Sequence, residues 1–331
     1  MLDLYGTLGP ACSDVQTLTA MFEAGMTGLR LNLSHVTLPH AASQLAAMHE
    51  AAKRCGKRAQ LLIDMQGPEL RIGVLSAPLE LSEGERISVG STGIPVPGLV
   101  LPHLVHGQQM LLDDGKLLLE ILENRGDSAL ARVLRGGLLR SRKSIALPGS
   151  RLHPPTMAEL DLQNISYARQ YGVTAVMQPF VRDREDLETV RRALSDAGCE
   201  DIRLFAKIEN LEGVANLEDL IPACDEVVIA RGDLGNAMPL WELPRVQKEI
   251  AAKCRANGRA FMVVTQMLAS MEHSAVPTRA EVSDIFNAVC DGAASVMVTG
   301  ETAVGEYPVE VIRYLANTAA QAEAYRQAAA R

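Results

Sequence analysis

Short apolar runs recur along the chain and alternate with longer stretches whose apolar positions repeat at helical spacing. The runs lie at 28–33, 59–63, 173–177, 202–208, 226–230, 260–265 and 295–298, with a weaker one at 2–8. The helix-like stretches lie at 14–24, 40–55, 157–171, 184–197, 244–256, 278–291 and 308–326. Ser13-Asp14 precedes the first of these, and Thr278 is followed three residues on by Glu281, a pattern of side-chain capping at a helix start. Strand-sized runs alternating with helix-sized ones predict βαβ units and a parallel sheet.

The rhythm breaks from about 72 to 149. There Glu83-Gly84-Glu85, Asp113-Asp114-Gly115, Gly136-Gly137 and Pro148-Gly149 place turns between short strands, which reads as a small all-β insertion. Removing it from the 331 residues leaves about 250, the usual size of a (β/α)8 barrel. Counting 2–8, the runs number eight. The expected fold is therefore α/β: a (β/α)8 TIM barrel formed by 1–71 and 150–331, with a β-rich domain of 72–149 inserted after the third strand.

Composition narrows the class. The chain carries 32 basic and 40 acidic residues, a formal net charge of −8, which argues against nucleic acid or an anionic membrane as partner. Aromatic residues are only 4% and Trp241 is the sole tryptophan, so the core is expected to be aliphatic. The six cysteines form no Cys-x-x-Cys pair and read as thiols in a reducing compartment, not as a disulfide framework or zinc site. The N-terminus lacks the basic and apolar regions of a signal peptide, and no uncharged apolar run reaches membrane-spanning length, so a cytoplasmic protein is expected.

In such a barrel the chemistry gathers at the C-terminal ends of the strands. Those ends carry Arg30, Asn32 and Ser34, then Asp64, Lys207 and Glu209, Asp233, Thr265 and Gln266, and Thr299 and Glu301. Lys207 and Glu209, two apart, face the same side, and Asp233 follows the adjacent strand. Two carboxylates that leave most positions to water and substrate describe a Mg2+ or Mn2+ site better than zinc, which prefers His and Cys. A lysine and an arginine beside it suggest a phosphorylated or carboxylated substrate. The glycines of Arg231-Gly232-Asp233-Leu234-Gly235 allow backbone N–H groups close to an anion. Singly, each feature has a plainer reading. Lys-x-Glu is more often a solvated ion pair, the glycine segment a turn into a helix, and Met262, Met267 and Met271 packing. Their joint placement at strand ends favours a site.

Read in order, Thr7-Leu8-Gly9-Pro10-Ala11, Arg30-Leu31-Asn32-Leu33-Ser34-His35, Asp64-Met65-Gln66-Gly67-Pro68-Glu69-Leu70-Arg71, Lys207-Ile208-Glu209-Asn210, Ala230-Arg231-Gly232-Asp233-Leu234-Gly235, Thr265-Gln266-Met267-Leu268, Pro277-Thr278-Arg279-Ala280-Glu281 and Gly300-Glu301-Thr302-Ala303 resemble successive motifs of the pyruvate kinase family. The likeness is strongest in the barrel; in the insertion, Asp113-Asp114-Gly115 and Leu147-Pro148-Gly149 fit that family's lid domain. The resemblance implies phosphoryl transfer from phosphoenolpyruvate to ADP. It assigns Glu209 and Asp233 to the divalent ion, Lys207 to the phosphoryl group in flight and Arg30 to its oxygens. The backbone of Gly232 and Asp233, with Thr265, would hold the substrate carboxylate. Thr265 and Glu301 would belong to the relay that protonates the enolate. Asn32, Ser34, Asp64 and the backbone of Met65 would form a K+ site, and Asn32 and His35 would meet the nucleotide.

The chain also departs from the family pattern. The family's C-terminal domain and extra N-terminal segment are missing from it, which implies an enzyme without sugar-phosphate allostery, as a homodimer through the barrel. Glu69 accompanies K+ dependence in the family, whereas Met65, Gln66 and Ile72 resemble the K+-independent pattern, so both readings stand. Val36, Pro179, Thr299 and Asn236-Ala237 replace residues usual in the family, most of them on the nucleotide side. Two other readings accompany the kinase: a metal-dependent lyase or aldolase working through a pyruvate-type enolate, and a non-catalytic metabolite-binding relative.

Overall fold

The computed structural model describes residues 2–34, 36–113, 115–150, 152 and 154–329. Eight strands close into a parallel barrel: β1 (Asp3–Thr7), β2 (Gly28–Asn32), β3 (Gln60–Asp64), β4 (Ala175–Gln178), β5 (Arg203–Ile208), β6 (Glu226–Ala230), β7 (Ala260–Val264) and β8 (Ser295–Met297). Each pairs with its neighbours in sequence order, and β1 closes the ring against β8 through Asp3↔Ser295 to Tyr5↔Met297. All eight sequence runs are strands. The run at 260–265 ends one residue early, because Thr265 takes a left-handed backbone at φ 80°.

Tyr5, Leu62, Ala175, Met177, Phe205, Val228, Ala230, Met262, Val264 and Met297 fill the barrel interior, the inward half of each strand's alternation. The helices that follow the strands include Val15–Glu23, Ala42–Arg54, Glu159–Tyr167, Arg184–Asp196, Leu243–Ala256, Arg279–Cys290 and Pro308–Ala329. Asp14 caps the first by accepting from Thr17 N at 2.9 Å. Thr278 and Glu281 form a reciprocal capping box. The stretch at 157–171 yields only Glu159–Tyr167, and the short helices Leu211–Ala215 and Leu217–Leu220 had no periodic signal. Among the described residues no helix is long and apolar enough to cross a membrane.

The chain divides into two compact units. The larger comprises residues 1–67, 156–234 and 242–331 and holds the barrel; the smaller comprises 68–155 and 235–241. The smaller unit contains an antiparallel five-stranded sheet in the order Ile145–Ala146, Gln109–Leu112, Leu117–Asn124, Ser128–Arg135 and Arg86–Gly90, and a two-stranded sheet of Leu79–Leu81 with Gly137–Leu139. Its own core includes Val89, Met110, Leu112, Leu119, Ile121, Ala131 and Val133. Leu117–Asn124 alternates buried and half-buried positions until its final residues, as a strand with one covered face does.

Candidate active site

Three strand ends converge on one carboxylate. Asp64, the last residue of β3, accepts from Arg30 Nε at 2.9 Å and Nη2 at 2.6 Å. It also receives Lys207 Nζ at 3.1 and 3.2 Å. Lys207 lies 2.9 Å from Glu209 Oε1, and the other oxygen of Glu209 accepts from Phe180 N at 2.8 Å. The Arg30 and Lys207 side chains are 12% and 13% exposed and those of Asp64 and Glu209 only 3% and 1%. Charges this dry persist because each is paired. Burial would raise the Asp64 carboxyl, but Lys207 and then Arg30 outweigh it and hold it below the usual carboxylate range. Burial would likewise lower the Lys207 ammonium, yet Asp64 and then Glu209 hold it above its ordinary value. Lys207 is therefore a fixed cation.

Asn32 Oδ1 accepts from Ser34 N at 3.1 Å, and Leu33 N donates to the Asp64 carbonyl at 2.9 Å. Met65 is buried and its N–H reaches Met177 O. Asn32, Ser34, Asp64 and Met65 thus sit at neighbouring strand ends, with the Asp64 carboxylate engaged by two cations. His35 lies outside the described residues.

On the other side of the barrel the backbone itself is unusual. Thr265 and Gln266, after β7, are consecutive non-glycine residues at φ 80° and 56°; Phe180, after β4 and bonded to Glu209, shares the left-handed region at φ 52°. Such conformations cost on the order of 1–3 kcal/mol each and gather at functional sites. Arg231 bonds the Thr265 carbonyl through Nε and Nη2 at 3.1 and 2.7 Å. A Cβ added to Gly232 would lie 3.1 Å from Thr265 Cγ2, so Gly232 leaves room for the Thr265 side chain. The segment 231–236 is a short helix with Asp233 in its first turn, directly after β6, whose neighbour β5 leads to Glu209.

Glu301 is 1% exposed. Its oxygens accept from Leu268 N at 3.1 Å, Thr299 N at 2.5 Å and Thr299 Oγ1 at 3.2 Å. Among the described residues its hydroxyl partner is thus Thr299.

Asp161 was not singled out from the sequence. Its buried carboxylate accepts from Gln66 N, Gly67 N and Ala158 N at 2.8, 2.9 and 2.8 Å, fixing the loop after Asp64. Burial pushes this carboxyl up against the pull of those three amides. Arg231 and Asp284, paired at 2.6 Å, were also unmarked as a pair. Lone acidic residues on amphipathic helices carry no signal of such roles.

No group of three or more His, Cys, Asp or Glu side chains suited to a metal occurs among the described residues. Glu209 directly follows β5, and Asp233 lies in the helix after the adjacent β6; were both to face one ion, the donors would be carboxylate oxygens. That fits Mg2+ or Mn2+ completed by water and substrate.

A family model for the pyruvate kinase barrel domain matches residues 2–312. A pyruvate kinase of Geobacillus stearothermophilus is 37% identical over 328 residues, covering 96% of this chain and 56% of that protein. Those of Chlamydia pneumoniae and Aeropyrum pernix are 33% and 35% identical, with 96% of this chain and 67% and 70% of theirs covered. The chain thus spans little more than half the length of some relatives and about two thirds of others. Matched over nearly all of its barrel, the chain belongs to the pyruvate kinase family.

Proposed function

We propose that the protein transfers the phosphoryl group of phosphoenolpyruvate to ADP, giving pyruvate and ATP, with Mg2+ or Mn2+. The observation that carries this is Lys207, held as a buried ammonium between Asp64 and Glu209 beside Arg30. Phosphoryl transfer passes through a loose, charge-rich transition state that needs positioned cations more than covalent chemistry. An oxygen of the terminal ADP phosphate attacks phosphorus as the bond to the enol oxygen breaks. The electron pair stays on that oxygen, and the resulting enolate takes a proton at its methylene carbon. Lys207 faces the phosphoryl group in flight and Arg30 its oxygens. Thr265 and the backbone of Gly232 and Asp233 hold the substrate carboxylate. Thr265 serves the proton relay, and Glu301, through the Thr299 hydroxyl, forms its other arm. Glu209 and Asp233 would hold the divalent ion, which would supply positive charge to offset that of the anionic substrate.

Asn32, Ser34, Asp64 and the Met65 backbone are the proposed K+ ligands, and Asn32 and His35 the nucleotide contacts. The β-rich unit is proposed as the family's lid, which would exclude water as a competing acceptor. All six cysteines are free, which supports residence in a reducing cytoplasm, and a homodimer is the proposed assembly.

Pyruvate formation from phosphoenolpyruvate and ADP with Mg2+, with and without K+, tests the reading beside a Lys207→Met control. Turnover lost in the control supports it. No turnover by the unaltered protein under either condition rejects it.

A further inference from the structure

We propose that Arg231 and Asp284 form a positioning pair that holds Thr265 in its left-handed backbone conformation and so aims its hydroxyl at the substrate; the catalytic part of this inference rests on the function proposed above.

A threonine at φ 80° followed by glutamine at 56° is not what either residue adopts by preference, least of all a β-branched one. On a continuing strand Thr265 would face away from the side that Val264 presents to the barrel interior. The left-handed turn instead ends β7 and puts the Thr265 side chain against Gly232.

Something must hold that turn, and the guanidinium of Arg231 is built for it. Nε and Nη2 grip the Thr265 carbonyl at 3.1 and 2.7 Å, and Nη2 also meets Met267 Sδ at 3.0 Å. Nη1 is anchored on Asp284, at 2.8 and 2.6 Å from its two oxygens. Every nitrogen of the fork is committed, and the side chain is 13% exposed. A lysine ammonium could not reproduce this planar arrangement. Asp284 lies on Arg279–Cys290 and Arg231 directly follows β6, so the pair ties two strand ends to a helix of the outer ring.

The chain beyond the turn is pinned separately. Leu268 N donates to Glu301 at 3.1 Å and Ser270 N to Glu281 at 2.7 Å. Arg231 therefore acts on Thr265 and Gln266, the segment those anchors leave unheld.

The test uses the full chain with Asp284→Asn and Arg231→Lys, which preserve shape or charge, each alone and combined with Thr265→Ala. Asp284→Asn is expected to lower kcat by on the order of 10- to 10²-fold, the scale of a misplaced catalytic group. In the Thr265→Ala background it should cost less than about 2-fold, because no hydroxyl remains to aim. Equal losses in both backgrounds would show a merely structural role and overturn the proposal.

A second measurement is independent of turnover. Crystal structures of Asp284→Asn and Arg231→Lys should show Thr265 leaving the left-handed region; retention of φ near 80° in both overturns the proposal. If the unaltered protein forms no pyruvate, the kinase reading falls, and these structures alone decide whether the pair holds Thr265.

Discussion

Lys207 Nζ lies 3.1 Å from Asp64 Oδ2, an oxygen that Arg30 Nη2 also meets at 2.6 Å. One buried acid therefore orients both cations proposed to face the phosphoryl group, which makes Asp64 more than a candidate K+ ligand. Asp64→Asn would leave two buried cations poorly compensated. It should lower the unfolding free energy by about 3–5 kcal/mol, read from urea denaturation, while unchanged stability would show that the pair is not needed to hold the fold.

Lys207→Met should still fold, since Asp64 keeps Arg30 and Glu209 keeps Phe180 N, at a lower stability than the parent because the buried Glu209 loses its cation. Loss of the fixed cation is expected to lower kcat on the order of 10³-fold. Steady-state kinetics would show the loss in kcat more than in KM for phosphoenolpyruvate.

The proposed metal set predicts that Glu209→Gln and Asp233→Asn each weaken Mn2+ by more than the roughly 10- to 100-fold that loss of outer support costs a metal site. Electron paramagnetic resonance of free Mn2+ reads this directly. A chelator should abolish pyruvate formation, and Mg2+ should restore it.

At the opposite, N-terminal end of the strands Glu226 accepts a hydrogen bond from Ser295 Oγ. Burial pushes its carboxyl up to about 7, against the opposing influence of Ser295 and Arg203, with Asp3 adding to the rise. A carboxyl raised above its unfolded value keeps its proton longer in the folded chain. Its contribution is therefore full below the unfolded value and declines as pH rises towards 7, by roughly 3 kcal/mol in all. Glu226→Gln, which can still accept from Ser295, should flatten that part of the stability profile between pH 4.5 and 7. A profile equally steep in the variant would remove Glu226 as its source.

Asp161→Asn replaces one acceptor oxygen of a carboxylate that serves three amides. An unpaired buried donor costs about 1–3 kcal/mol, so hydrogen exchange at Gln66 and Gly67 should quicken and KM for phosphoenolpyruvate should rise. Protection equal to the parent's at both amides would mean that Asp161 does not hold this loop.

The architecture was legible because it rests on local periodicity. Within the run 226–230, Val227–Ala230 are apolar on both faces because helices cover one and the barrel interior the other, and that requirement is written residue by residue. The same holds for Thr278 and Glu281, whose capping box spans three positions, and for the turn-rich stretch that the smaller unit contains. The strand ends were legible too, since the end of a run marks where a side chain can enter the mouth.

What the sequence left undecided depends on closure. Arg30 is 34 residues from Asp64 and Lys207 is 143; only the register of closed, paired strands makes them partners. Glu301 could have faced either Thr265 or Thr299, and the backbone placed it on Thr299. Nothing in the identities of Phe180, Thr265 or Gln266 announces a left-handed conformation, which such residues adopt only when their surroundings impose it. Residues 235–241 join the unit of 68–155 although 79 residues of chain separate them. Side-chain partition between water and core is a local property and can be read along the chain, whereas the pairing of charges and the holding of strained backbone are properties of distance in space, which only the folded barrel supplies.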